Sequence, residues 1–324
     1  MVQPVNIEVV LNLIIFSIFF TVATTELMAA SAILFKYKES EKKVFGFLLP
    51  IWEITGTFFV FYMVNLEGLA PVVLPLLAYS FISYILIFLI LYVLRNTVIA
   101  SAEHIWKKSR VNRRLLYSAY AVVTFVLGAI VVIIYSAFLG GHGLNFSAET
   151  FNLVSFLEFL PDDGFVIGIA ILFFGLAAVF YGLNVNRFLP LIVTAIGIII
   201  AGISLLEFDN TDNVYLLIIP VILILSIPIS WIFSRTKFII ERKLVFQGIM
   251  AISLFFVAYS QYPFLLGKTL LVTSILNDTE MQTQMFYATV IGGAILLILT
   301  YFFYDTYYES KKGDKQESDG NVQN

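Results

Sequence analysis

Nine long apolar stretches, separated by polar connections, constrain what this 324-residue chain can fold into. A helix needs about 20 apolar residues to cross the hydrocarbon core of a bilayer. Only 13% of the residues are charged, whereas soluble domains carry about 25%. The sequence therefore predicts an all-α, polytopic membrane helix bundle with nine transmembrane helices. The apolar stretches cover residues 8–35, 46–64, 69–94, 115–139, 164–186, 189–206, 214–234, 244–266 and 284–306.

The basic residues predict the orientation of this bundle. Of the 19 Lys and Arg residues, 18 lie in the odd-numbered connections or the C-terminal tail, and only Lys268 lies in an even-numbered connection. Cytoplasmic connections are enriched in Lys and Arg, so we expect the N-terminus outside and the C-terminus in the cytoplasm. The 18 residues are Lys36, Lys38, Lys42, Lys43, Arg95, Lys107, Lys108, Arg110, Arg113, Arg114, Arg187, Arg235, Lys237, Arg242, Lys243, Lys311, Lys312 and Lys315.

The nine predicted helices divide naturally into two four-helix bundles plus one peripheral helix. The first bundle would take residues 1–140, the second 141–266, and the ninth helix 267–308. The polar residues 309–324 are short of apolar side chains and predict a disordered cytoplasmic tail. No soluble domain is expected.

Two carboxylates lie inside the predicted spans, away from their ends. Glu26 precedes Lys36 by ten residues, and Glu53 follows Lys43 by ten residues. Ten helical residues rise about 15 Å, so the two carboxylates should lie at similar depth on antiparallel helices. Intramembrane acids favour a functional site, and we predict that Glu53 and Glu26 form a proton path facing the cytoplasm. The alternative is that they are polar anchors in a water-filled vestibule.

The chain has few groups that could bind a metal. It has no cysteine and two histidines, His104 and His142, and both histidines are predicted to lie in connections. Because a membrane haem usually takes axial His or Met ligands from within the spans, we expect no haem ligated by this chain and no metal site. Arg95, at the end of the third span, is interpreted as an anchor whose side chain extends to the membrane surface.

Four stretches carry a recognisable pattern: "TTELMAASAILFKY" (24–37), "PIWE" to "YVLRN" (50–96), "SFLEFLPDDGFVIGIA" to "FYGLN" (155–184) and "LVFQGIMA" to "FFYDTYY" (244–308). They resemble subunit II of the cytochrome bd-type quinol oxidases, in a divergent form. Glu26 stands where that family has an Asp, and Trp52 and Glu53 match its Trp-Asp pair. The sequence departs from the family after both acids, with "MAAS" in place of glycines and "ITGTF" in place of polar residues, and near Tyr181–Gly182, where the family has a His.

The resemblance implies a heterodimer with a haem-bearing subunit I, which would hold haem b and haem d and use quinol and oxygen as substrates. This chain would then be the haem-poor subunit of a terminal oxidase in the cell (plasma) membrane, part of an enzyme but not catalytic alone. It would stabilise subunit I and supply the proton path, with Trp52 facing the partner's haem region. A structural quinone or lipid and small accessory subunits are left open, and no nucleic-acid partner is expected.

Two other functions stay open. A secondary transporter could use Glu26 and Glu53 to couple transport to a proton or ion, although the broken helices typical of the two halves of such transporters are not evident. An assembly scaffold without transport would tolerate Gln at both positions.

Overall fold

The described part of the chain forms a bundle of helices with two small hairpins. The computed structural model describes the backbone of residues 6–102, 113–140, 142–145, 148–208, 214–233, 243–266 and 270–320. It describes the side chains of these residues except 40–43, 45–53, 265–266 and 303–320. The helices are α1 (Ile7–Leu69), α2 (Val73–Ser80), α3 (Ile82–Ala100), α4 (Arg113–Gly140), α5 (Leu153–Leu157), α6 (Leu160–Phe180), α7 (Leu189–Glu207), α8 (Ile218–Phe233), α9 (Lys243–Tyr259) and α10 (Thr279–Gly320). Antiparallel pairs form between β1 (Leu144–Asn145) and β2 (Thr150–Phe151) and between β3 (Phe264–Leu266) and β4 (Leu270–Leu271).

The predicted polytopic helical bundle is confirmed. In the described part of the chain, seven helical segments are long and apolar enough to cross a membrane. A bent pair, Ile54–Leu69 with Val73–Ser80, is an eighth candidate, and α9 is apolar but shorter. These helices overlap all nine predicted stretches, while the count of nine spans and the orientation stay predictions. The seven segments are Ile7–Glu39, Ile82–Ala100, Arg113–Gly140, Leu160–Phe180, Leu189–Glu207, Val214–Phe233 and Thr279–Phe302.

The first two predicted spans are two helical segments of α1 that meet at a kink, and the hydrogen bond from Asn12 to Asn65 shows that they run side by side in opposite directions. The predicted connection "KYKESEKK" is helical, and Lys36 alone has a non-helical backbone inside α1 (φ −138°, ψ 52°). The segment contains no Pro or Gly, so nothing in it breaks a helix strongly. At this kink the Lys36 ammonium donates to the carbonyl of Asn184 at 3.2 Å, and Glu39 accepts from the Asn184 amide at 2.7 Å. The kink therefore lies against the α6–α7 turn.

The third predicted span, residues 69–94, is not one helix. Helix α1 ends at Leu69, and α2 turns by 115° from the last segment of α1 before α3 begins. Pro71 lies at this turn, where its missing N–H costs no helical hydrogen bond. Phe81, between α2 and α3, is fully buried and contacts Phe151 with ring centroids 4.6 Å apart. The aromatic contact holds the break against the loop that follows α4.

Helices α6 and α7 form the closest helix pair of the second half. A Cβ on Gly168 would lie 2.5 Å from the backbone nitrogen of Ala201, and one on Gly197 would lie 2.5 Å from that of Leu172. Small residues allow such close approach in membrane bundles. Helix α1 packs against α4 of the first predicted bundle and against α6 and α9 of the second. It lies at the centre of the molecule.

The helix termini lie at two opposite ends of the bundle. The N-terminal end carries Asn6, Leu69, Gly140, Leu160 and Phe208, and the opposite end carries Lys36, Ala100, Phe180, Leu189 and Lys243. The basic residues predict that the opposite end faces the cytoplasm. The backbone of α10 is helical as far as Gly320; the division into domains and a tail stays a prediction.

Candidate functional site

Glu26 lies in a buried ion pair with Arg95. The Arg95 guanidinium donates through Nη1 to Glu26 Oε2, and the two side chains are only 7% and 3% exposed. Glu26 comes from the middle of α1 and Arg95 from the last part of α3. A buried charge is tolerated only when it is paired, so the carboxylate that the sequence singled out has a permanent cation beside it.

The interpretation of Arg95 as a surface anchor was wrong. Helix α3 continues to Ala100, and Arg95 is buried within it. The physical reason is Glu26, whose charge compensates the guanidinium inside the bundle and makes snorkelling unnecessary. The predicted orientation loses one of its 18 basic residues and stays a prediction.

Polar and aromatic groups surround the pair. Arg95 Nε donates to Asn96 Oδ1 at 3.1 Å, and the guanidinium carbon lies 4.9 Å from the centre of the Tyr92 ring. Tyr120, which is buried on α4, interacts electrostatically with both partners. Glu26 Oε1 is buried and has no hydrogen-bond partner among the described residues. This oxygen is where the site could accept a proton or a hydrogen bond from water.

Glu53 and Trp52 lie outside the described side chains, although their backbone belongs to α1. Ile54, next in sequence, is buried in the same cluster as Met28 and Phe58. The segment that carries Glu53 therefore contributes to the same apolar core as the segment that carries Glu26. Contact between the two carboxylates, and the role of Trp52 at a partner interface, stay predictions.

The sequence did not point to a second buried carboxylate, that of Asp162. Asp162 precedes the predicted fifth span, which begins at residue 164, but it lies in the first turn of α6 and is 0% exposed. Ser136 Oγ donates to Asp162 Oδ1 at 2.8 Å, and His142 Nδ1 lies 3.9 Å from Oδ2. The helix begins four residues earlier than predicted, which draws Asp162 into the bundle.

The histidines do not lie in a described haem or metal site. His142 lies in the loop after α4, outside the helices, as predicted. His104 falls outside the described residues. Within the described part of the chain, no group of three or more His, Cys, Asp and Glu side chains could hold a metal ion.

An apolar groove of about 880 Å³ opens between the last part of α1, α3 and α10. Its walls include Gly56, Thr57, Phe61, Tyr92, Gly292 and Leu296. A Cβ on Gly292 would lie 2.7 Å from the Phe61 ring, so glycine lets the helices meet at the base of the groove. Tyr92 connects the groove to the ion pair, because its ring lies under the Arg95 guanidinium.

Comparison with known proteins identifies the fold. No family model and no curated protein matches the chain. Among solved structures, the chain is similar to one chain of the bd oxidase from Geobacillus thermodenitrificans, with a TM-score of 0.65 and 17% sequence identity. The similarity covers 93% of this chain and 97% of that one. This multi-pass membrane chain therefore has, over nearly its whole length, the fold of a bd oxidase chain.

Proposed function

We propose that this chain is the haem-poor subunit of a membrane quinol:oxygen oxidoreductase of the cytochrome bd type. It stabilises a haem-bearing subunit I in the plasma membrane and provides a route for protons from the cytoplasm to the site of oxygen reduction. The observation that carries the proposal is the fold, which matches a chain of a bd oxidase along almost the entire length of both chains. The chain contributes to the enzyme without being catalytic alone.

The proton route in this proposal uses Glu53 and Glu26. Protons that reach a dry site must cross apolar protein on titratable groups or water. Glu26 Oε1 is the atom that would receive a proton, because Oε2 is held by Arg95. The guanidinium offsets the charge of the carboxylate between proton transfers. Glu53 would lie at a depth similar to that of Glu26, and Trp52 would face the partner.

The cofactors in this proposal belong to the partner. Subunit I would hold haem b and haem d, and this chain would ligate neither. The position of His142 in a loop supports that assignment, since a haem in the spans needs ligands from the helices. The groove beside Tyr92 has apolar walls suited to the chain of a structural quinone or lipid. The Thr57 and Tyr92 hydroxyls are the polar groups near such a ligand.

Purification of the tagged chain in mild detergent tests the proposal. We expect a stoichiometric complex with a second subunit, haem absorption in the visible spectrum, and oxygen consumption driven by quinol. Small accessory subunits would appear as additional bands. A colourless chain that purifies alone would contradict the oxidase and favour the secondary transporter.

Substitution of the two glutamates tests the proton route. Glu53→Gln keeps the shape of the side chain but cannot carry a proton, so it should permit assembly and haem insertion while slowing oxygen consumption. Glu53→Asp should retain part of the rate, and Glu26→Gln should slow turnover if the two glutamates act in series. The matched control is Glu67→Gln, which changes an exposed carboxylate on the same helix. Wild-type turnover in both Glu53→Gln and Glu26→Gln would leave the glutamates as anchors.

A further inference from the structure

The loop after α4 approaches a buried carboxylate, Asp162, at the N-terminal end of α6. Asp162 is completely buried, and it receives one hydrogen bond, from Ser136 on α4. Its second oxygen, Oδ2, is buried and has no hydrogen-bond partner among the described residues. A buried carboxylate with half of its hydrogen-bonding capacity unused is costly to maintain as an anion. The group that can change this balance is His142.

His142 connects this carboxylate to solvent. Its Nδ1 lies 3.9 Å from Asp162 Oδ2, while 43% of its side chain is exposed. The imidazole ring stacks on Phe159 with ring centroids 3.5 Å apart. A Cβ on Gly140 would lie 2.8 Å from Asp162 Oδ1, so the loop approaches the carboxylate closely. A proton from bulk water can therefore reach His142 without opening the bundle.

The loop that His142 begins also carries the β1–β2 hairpin. Gly143 has a φ of +73°, a conformation that glycine adopts without strain. The hairpin ends in Phe151, which packs on Phe81 between α2 and α3. Release of His142 would loosen the hairpin and, through Phe151, the break between α2 and α3.

Most of the other titratable groups on the elements around His142 and Asp162 are carboxylic acids. Asp163 on α6 is the nearest to Asp162 and interacts with it electrostatically. Glu158 follows α5, Glu207 ends α7 and Glu149 lies in the hairpin, and all three are exposed. Two phenols also lie on the packed elements, Tyr135 on α4 and Tyr84 on α3, whose ring contacts Phe151 at 5.3 Å. Because all of these groups are neutral or negative, they favour the protonated, cationic form of His142.

We propose that His142 and Asp162 form a pH-sensitive latch, which holds the β1–β2 loop against the bundle when the N-terminal end faces an acidic solution. In mildly acidic solution His142 is an imidazolium, and its charge beside Oδ2 offsets the burial cost that otherwise favours protonation of Asp162. As the pH rises, His142 loses this charge, the carboxylate loses its cation, and the loop is released. The latch is independent of the proposed oxidase function.

A spin label on the hairpin measures the latch directly. The chain has no cysteine, so Ala148→Cys, at the exposed tip of the hairpin, creates one labelling site in the full chain with whatever subunits co-purify. The protein without this cysteine supplies the background. Spectra recorded from about pH 5.5 to about pH 8, on either side of the histidine pKa, should show a severalfold rise in the mobile fraction of the label.

Four substitutions in this labelled background decide the assignment. His142→Gln and Asp162→Asn should remove the pH dependence, whereas His104→Gln and Asp163→Asn should keep it. His104→Gln changes the other histidine of the chain, and Asp163→Asn changes the neighbouring carboxylate. A label whose mobility does not change with pH would overturn the latch, as would persistent pH dependence in His142→Gln. If Asp162→Asn does not fold, the comparison of the two histidine variants still decides the result.

Discussion

Glu26 and Asp162 are both buried carboxylates whose negative charge needs a nearby cation, and the two have different partners. Each has one oxygen engaged and one buried oxygen without a hydrogen-bond partner among the described residues. Glu26 faces an arginine, which stays protonated at any pH the protein meets. Asp162 faces a histidine, whose charge changes near neutral pH. The cation of the first site is therefore permanent, whereas the cation of the second is present only in acid.

Access to solvent accounts for this difference. Both partners of the Glu26–Arg95 pair are buried, and water cannot compensate for a lost charge there. His142 is 43% exposed and lies at the N-terminal end of the bundle. A titratable partner is tolerable where solvent can supply or remove the proton. The comparison implies that substitutions at the inner site should affect stability most, and those at the end of the bundle should mainly affect pH dependence.

Arg95→Gln should have the largest effect, because it leaves the Glu26 charge buried without a cation. Removal of one partner of a buried ion pair costs about 3–5 kcal/mol, which is a large part of the stability of a typical domain. We expect a marked fall in the yield of folded protein and in the melting temperature measured by size-exclusion chromatography after heating.

The double variant Glu26→Gln/Arg95→Gln is the control for this effect. It removes both charges and keeps two side chains that can bond to each other, so most of the lost stability should return. If Arg95→Gln alone melts like the parent, Glu26 is not held as an anion by Arg95. The contrast between the two carboxylates would then be wrong.

Arg95→Lys should have an intermediate effect that does not depend on pH. A lysine keeps the positive charge but loses the planar fork, and with it the contacts to Asn96 and the Tyr92 ring. We expect a loss of about 1.5–3 kcal/mol, as for the hydrogen bonds of charged groups, with equal losses at about pH 5.5 and about pH 8. Thermal melting at both pH values measures this, and a loss confined to one of them would show that another titratable group contributes.

The helices were predictable from the sequence because apolar length is a local property. Every predicted stretch overlaps a helix, from Ile7–Glu39 to Thr279–Phe302. The breaks were harder to predict. The charged segment from Lys36 to Lys43 was interpreted as a loop, although its residue types permit a helix. The 115° turn before α2 depends on the packing of Phe81 against a loop about 70 residues away in sequence.

The candidate site was only half predictable, for a related reason. A lone acid in an apolar stretch identifies Glu26 by itself, because burial of a charge needs an explanation. Its partner Arg95 lies near a span end, where a sequence offers snorkelling as an equally good interpretation. Asp162 was hidden in the same way by its position near the start of a helix. In both cases the missing information was the position of a second helix.

His142→Arg should have the smallest effect on stability, and it sharpens the comparison by giving the second site the kind of partner that the first has. Arginine stacks well on aromatic rings, so it can replace the imidazole on Phe159 while its charge faces Asp162. The permanent cation removes the cost that the parent bears when His142 is neutral. We therefore expect a gain in stability of about 1 kcal/mol at about pH 8 and little change at about pH 5.5.

The spin label at residue 148 provides the second measurement for His142→Arg, and it should be immobile at both pH values. His142→Gln is the matched control, and it should be as mobile at pH 5.5 as the parent is at pH 8. If the label on His142→Arg becomes mobile with rising pH as it does in the parent, the titrating group is not His142, and the distinction between a permanent and a switchable partner fails.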